Sequence, residues 1–127
     1  MDWRDHVDAS HPSVIAMDAW LKSLHPFERR IQEAEIEELL EAAAAGRLWD
    51  SGDAKTKIKP IRDKPEVYEL RRKALTKMLR FYHAEPTELP RSLVALHRHI
   101  KIDAPSQQRE IDHAASMYVA ARRAGWS

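Results

Sequence analysis

IKPIRDKPEVYELRRKALTKMLRFYHAEPTELPRSLVALHRHIKI, residues 58–102, is the stretch on which the fold of this chain turns. Its apolar residues recur at every second position between turn signals, which is the period of a strand. Ile58 to Ile61, entered through Lys57, reads as an edge strand, because Pro60 cannot donate to a ladder. Asp63-Lys64-Pro65-Glu66 is a turn. Val67 to Arg72 is the next strand, with Tyr68, Leu70 and Arg72 on one face and Val67, Glu69 and Arg71 on the other. Met78 to His83 opposes Leu79 and Phe81 to Met78, Arg80 and Tyr82. A loop from Glu85 to Arg91 holds Pro86 and Pro90. Leu93 to Ile102 then sets Val94, Leu96, Ile100 and Ile102 against Ala95, His97, His99 and Lys101. Short connections between these strands predict a small antiparallel sheet of three to four strands over residues 57–102.

Upstream the period changes to three and four. His11-Pro12-Ser13 opens a helix with Ser13 as its expected cap, and Val14, Met17, Leu21 and Leu24 follow at helical spacing beside Trp20. His25-Pro26 breaks that run, since proline disfavours helix in the residue before it. A second helix is predicted from Pro26 to about Ala45. Ile36, Leu39, Leu40 and Ala43 form its buried stripe, Glu33, Glu37 and Glu41 its exposed row, and Gly46 its stop. Residues 13–46 are thus a helical hairpin, preceded by a loose end or weak edge strand over residues 1–10. Downstream, Asp103 caps a final helix at residues 105–124, with Pro105 in its first turn. Ile111, Ala114, Ala115, Tyr118 and Ala121 supply its apolar stripe, and Gly125 ends it. The expected architecture is a single α+β domain whose helices cover one face of the sheet and leave the other open.

The chain has 127 residues, of which 43% are hydrophobic and 32% charged, within the globular range for one domain. Without cysteine it has no disulfide, thiolate metal site or cysteine nucleophile, which fits the cytoplasm. No run of eighteen apolar residues is present, so no membrane partner is expected, and Met1 to Asp5 lacks the features of a signal peptide. The net charge of +1 conceals an asymmetry. Residues 1–50 carry 5 Lys/Arg and 11 Asp/Glu, a net of −6, and residues 51–127 carry 16 and 9, a net of +7. A basic second half is a prior for polyanion binding there; the plainer alternative is a dipolar molecule whose halves attract.

On the face expected to be open, alternation gathers Arg71, Arg80, Tyr82, His97, His99 and Lys101, with Glu69 among them and Lys57 and Lys59 at the border. Cleavage of RNA needs a base for the 2′-hydroxyl proton, charge to stabilise the phosphorane and an acid for the leaving oxygen. Histidine or glutamate can be the base, arginine and lysine suit the phosphate, and tyrosine can stack on a base or orient the phosphate. The alternative is an ordinary solvated face with cross-strand ion pairs such as Arg71 with Glu69. His97-x-His99 places two imidazoles on one strand face, but no third ligand accompanies them, so neither metal nor cofactor is expected. Arg98 lies on the supposed buried parity, which places it at a strand edge or a bulge, or makes it snorkel. His6, His11, His25 and His113 fall outside the face and receive no role.

Val67-Tyr68-Glu69-Leu70-Arg71 resembles the YELR signature of phage-derived RelE/HigB-type toxins, the RNase half of type II toxin–antitoxin pairs. Leu79-Arg80-Phe81-Tyr82 resembles that family's next strand, residues 94–101 its following strand, and residues 107–114 its closing helix, so that the likeness spans roughly residues 14–121. The family usually opens with a strand, and Met1 to Asp8 is a poor one. The resemblance implies a small α+β toxin, a metal-independent endoribonuclease that binds mRNA on its concave sheet, at the ribosome or free of it, and is neutralised by a cognate helix-turn-helix antitoxin. It also implies that Arg71 and Arg80 contact phosphate, that Lys101 lies beside the site, and that His97 or His99 transfers the proton while Tyr82 stacks or orients. Lys57, Lys59 and Arg98 are the additional nucleic-acid-binding candidates. The contrasting expectation is a prophage or mobile-element protein that uses the same basic face only to bind a partner protein or nucleic acid.

Overall fold

The computed structural model describes the backbone of residues 1–127 and the side chains of all of them but residue 65. It runs β1 (Asp2–Asp5), α1 (Pro12–Ser23), α2 (Pro26–Ala44), β2 (Ile58–Ile61), β3 (Lys64–Ala74), β4 (Lys77–Ala84), β5 (Ser92–Lys101) and α3 (Ala104–Arg123). The class is α+β, with the helical hairpin, the strand run and the final helix where the sequence puts them. Among the described residues no helix is long and apolar enough to cross a membrane.

The sheet differs from expectation in two ways. It has five strands in the order β1-β5-β4-β3-β2, and it is mixed. β1 pairs in parallel with β5, from Asp2 opposite Ser92 to Asp5 opposite Ala95, while the remaining pairs are antiparallel. The N-terminal strand was hard to read because it carries no apolar alternation. Its anchor is Trp3, whose indole N–H donates to the Leu40 carbonyl of α2 at 3.0 Å. Pro60 does lie on an edge, in β2, beside a register shift.

The second difference is that neither face of the sheet is open. α1 and α2 pack on one face, where Met17, Leu39 and Ala43 meet Leu70, Leu79, Phe81 and Leu93. α3 lies across β3, β4 and β5 on the other, where Ala114, Tyr118 and Ala121 meet Val67, Tyr82, Ala84, Val94 and Leu96. Consequently β4 is buried at every residue from Leu79 to Ala84. Leucines 70, 79, 93 and 96 are fully enclosed, and each such side chain contributes about 1.5–3 kcal/mol of transfer free energy.

Strict alternation also fails once, within β5. Tyr82 pairs with His97 but His83 pairs with Ala95, so Leu96 is an extra residue in that strand. Leu96 and His97 therefore both turn toward α3. Val94 and Leu96, expected with Ile100 on the face of Leu79 and Phe81, pack against α3 instead, while Ile100 stays with the α1–α2 core.

Local chemistry fixes the helix starts. His11, not Ser13, caps α1, its Nδ1 accepting the Ser13 backbone N–H at 3.1 Å. Asp103 caps α3 as expected, in a reciprocal box with Ser106. Asp103→Ala should cost about 1 kcal/mol of stability, read as a lower urea midpoint with an unchanged denaturant slope.

Candidate functional site

Cross-strand pairing places the sequence's candidates together. Arg71 lies opposite Arg80, which lies opposite His99; Glu69 lies opposite Tyr82, which lies opposite His97. The rings form a ladder, Tyr82 stacking on His99 at 5.5 Å and His99 lying 5.9 Å from His97. What the sequence does not reveal is that α3 seals most of them in. Arg80 is 4% exposed, Tyr82 1%, His97 1% and His99 2%. Of the six residues expected on an open face, only Lys101 is exposed and Arg71 half-buried.

Two carboxylates organise the buried set. Glu69 Oε1 accepts from Arg71 Nε at 2.6 Å and has Arg80 Nε 3.6 Å away. Its Oε2 accepts from Gln107 of α3 at 2.7 Å. Gln107 also donates to the Tyr82 hydroxyl at 3.0 Å, and that hydroxyl lies 2.9 Å from His99 Nε2. Glu110 of α3 is the second carboxylate. It accepts from His97 Nε2 at 2.5 Å and from the Ser13 hydroxyl.

Burial dominates the electrostatics. It pushes the Tyr82 phenol far up, with the Glu69 charge adding to the effect, so the hydroxyl stays protonated. It lowers the Arg80 guanidinium against the raising influence of Glu69. Burial also brings His97 down to about 4, overriding the Glu110 hydrogen bond, and lowers His99. For Glu110 burial works the other way, yet hydrogen bonds from His97 and Ser13 hold its carboxyl below the usual value. Both strand imidazoles are thus neutral at neutral pH.

The remaining candidates separate. Arg98 faces the opposite side of the sheet and makes a two-pronged pair with Asp18 of α1, at 3.1 and 2.9 Å. Alternation with His97 and His99 puts it there, apart from the other candidates. Lys57 is exposed ahead of β2, beside a different hollow that includes Glu35 and Arg72. Lys59 does join the site. With Arg62, Arg71 and Lys101 it surrounds a cleft between the β2 edge and the start of α3, in which Glu69, Gln107 and Gln108 also take part. Arg62, Gln107 and Gln108 were missed because loop and helix residues do not report their position through strand alternation. A separate apolar hollow lies between the sheet and the α1–α2 pair, lined by Trp3, Met17, Leu21 and Phe81.

Histidines without a sequence-based role meet His97 on its other side. His11, the α1 cap, and His113 of α3 bring their rings to 4.8 and 4.5 Å from His97 and 4.2 Å from each other. The sequence paired His97 with His99 and found no third ligand; the structure gives His99 to Tyr82 and groups His97 with two distant residues. Nothing in the spacing of positions 11, 97 and 113 could have signalled this. No family model matches this chain, and no curated protein or solved structure shows significant similarity to it, so the geometry alone bears on the site.

Proposed function

We propose that this chain is a toxin of the RelE/HigB type that binds RNA in the Lys59–Arg62–Arg71–Lys101 cleft and cleaves it without a metal. The observation that carries this reading is the convergence of four cations from separate elements, Lys59, Arg62, Arg71 and Lys101, around a cleft whose carboxylates are Glu69 and Asp63. Arg71 uses its Nε on Glu69, and a guanidinium has further N–H groups in fork geometry for a phosphate. Lys101 and Lys59 add point charges on either side. In this reading Glu69 takes the 2′-hydroxyl proton, where an imidazole was expected, and the departing 5′-oxygen takes its proton from solvent water at the cleft. Arg80, behind Glu69, adds positive charge for a developing phosphorane. The partners of this reading are mRNA, at the ribosome or free, and a helix-turn-helix antitoxin.

One observation favours a second reading, in which the cleft binds a polyanion or partner protein without cleavage: His97 and His99 are sealed beneath α3. Induced expression in a bacterial host, with growth and total mRNA followed together, separates the two. Under the toxin reading growth stops, mRNA falls, and Arg71→Ala with Lys101→Ala restores both. Normal growth with intact mRNA leaves only the binding reading. Wherever the cleft takes nucleic acid, with or without cleavage, the double variant should bind a single-stranded RNA oligomer less tightly. The slope of log affinity against log salt should fall by about 1.4, as for two lost phosphate contacts. An unchanged slope would remove the cleft as an RNA-binding surface and leave it only a partner protein.

A further inference from the structure

We propose that His11, His97 and His113 form a binding site for one divalent transition-metal ion, with zinc as the best fit. Each residue offers one ring nitrogen, and the three nitrogens lie within 4.8 Å of one another. Zinc–imidazole bonds of 2.0–2.1 Å in a tetrahedron put ligand nitrogens about 3.4 Å apart, so small ring rotations bring the three to ligating distance. An all-imidazole set suits zinc, copper, nickel or cobalt, and does not suit magnesium or calcium, which require oxygen.

The hydrogen bonding of the cluster points to a ligand independently of its shape. His97 Nδ1 and His113 Nε2 are both buried and both lack a hydrogen-bond partner. The His97 side chain is 0% exposed, so its Nδ1 is out of reach of bulk solvent. Buried polar atoms without partners are uncommon, and an ion is one of the few things that accounts for two of them side by side.

The tautomer of His97 is set for ligation. Its Nε2 lies 2.5 Å from Glu110 Oε2, so the proton belongs on Nε2 and Nδ1 keeps its lone pair. A carboxylate behind a histidine is the arrangement that orients metal-bound imidazoles and increases their basicity. Ser13 in turn donates to Glu110, so the carboxylate is itself held in place. His11 is the engaged member. Its Nδ1 accepts the Ser13 backbone N–H, and ligation through either ring nitrogen gives up that bond.

The three ligands come from the cap of α1, from β5 and from the middle of α3. A metal ion would therefore clamp α1, the sheet and α3 together at one point. Three protein ligands also leave the fourth tetrahedral position for water.

The test uses the full chain, stripped with EDTA and titrated with zinc sulfate against a chromophoric competitor, with thermal unfolding in parallel. One ion per chain is expected. With free zinc at 100 times the dissociation constant, the folding equilibrium should shift about 100-fold toward the native state. His11→Gln and His113→Gln, neither fully buried, should each abolish the uptake and the shift, whereas His25→Gln on the exposed start of α2 should change neither. Cobalt substituted for zinc should give the intense visible bands of a tetrahedral site. No stoichiometric uptake, or equal uptake by the His11 and His113 variants, would overturn the assignment.

Discussion

Glu69→Ala is expected to cost the fold about 3–5 kcal/mol, the cost of leaving a buried charge without its counter-ion. Glu69 is 2% exposed and Arg80 is 4% exposed. Among the described residues no other carboxylate pairs with Arg80. Removing the carboxylate also strands Gln107, whose amide then has only the Tyr82 hydroxyl. Arg71, half-buried, can turn to solvent; Arg80 cannot. Urea denaturation of the single variant gives the loss. The double variant Glu69→Ala/Arg80→Met should recover most of it, because the penalty comes from the uncompensated charge rather than from losing the pair. A single-variant loss below about 1 kcal/mol would mean that water reaches Arg80, and that α3 lifts from the sheet far more readily than its packing indicates.

The chain should also lose stability steeply between pH 6.5 and pH 4. His97 titrates near 6.5 when unfolded and is held near 4 by burial in the fold. Between those values the unfolded chain binds a proton that the native one does not, so stability rises with pH across the window. The contribution, on the order of 3 kcal/mol, is fully present above pH 6.5 and gone below pH 4. Burial lowers His99 and His113 in the same direction, with less from His113, which is partly exposed. Glu110 adds to the trend at the acid end, since its depressed carboxyl contributes above its unfolded value and is lost as pH falls through its folded one. Urea midpoints at pH 8, 6.5, 5 and 4, taken with EDTA present, measure this. NMR titration of the His97 ring identifies its share. A ring that titrates at 6.5 in the native protein would show that the cluster is open to water.

The parts of the fold that could be read from sequence are those set by local chemistry. The stripes of α1 and α2, the Asp103 cap and the edge position of Pro60 each follow from residues within a few positions of one another, whereas the turn expected at residues 63–66 falls at residues 62–63, ahead of a β3 that begins at Lys64. The parts that could not be read depend on distant partners. Asp2–Asp5 is a strand only because β5 offers it a ladder. The covered second face was implicit in α3, whose Ala114, Tyr118 and Ala121 need somewhere to pack. With α1 and α2 on one face, Val67, Ala84, Val94 and Leu96 on the other were the surface left. Polar neighbours such as Arg71 and His99 disguised that surface as an open one. At the site, alternation grouped Arg71, Arg80, Tyr82, His97 and His99 correctly, because they are cross-strand neighbours. It misplaced Val94 and Leu96, because a single inserted residue in β5 reverses the parity of the residues before it. His11 and His113 were out of reach, since three elements must be assembled before their rings meet.

The parallel pairing of β1 with β5 has a consequence for how the protein is made. Asp2 leaves the ribosome ninety residues ahead of its partner Ser92. Until then Trp3, α1 and α2 have only each other, and the surface they later cover has yet to be built. Such long-range closure slows folding and leaves apolar side chains exposed to chance encounters. The nascent chain is therefore a natural client for a chaperone, and with Trp20, Trp49 and Trp126 replaced by phenylalanine, Trp3 fluorescence should report the moment when the first strand finally finds its place.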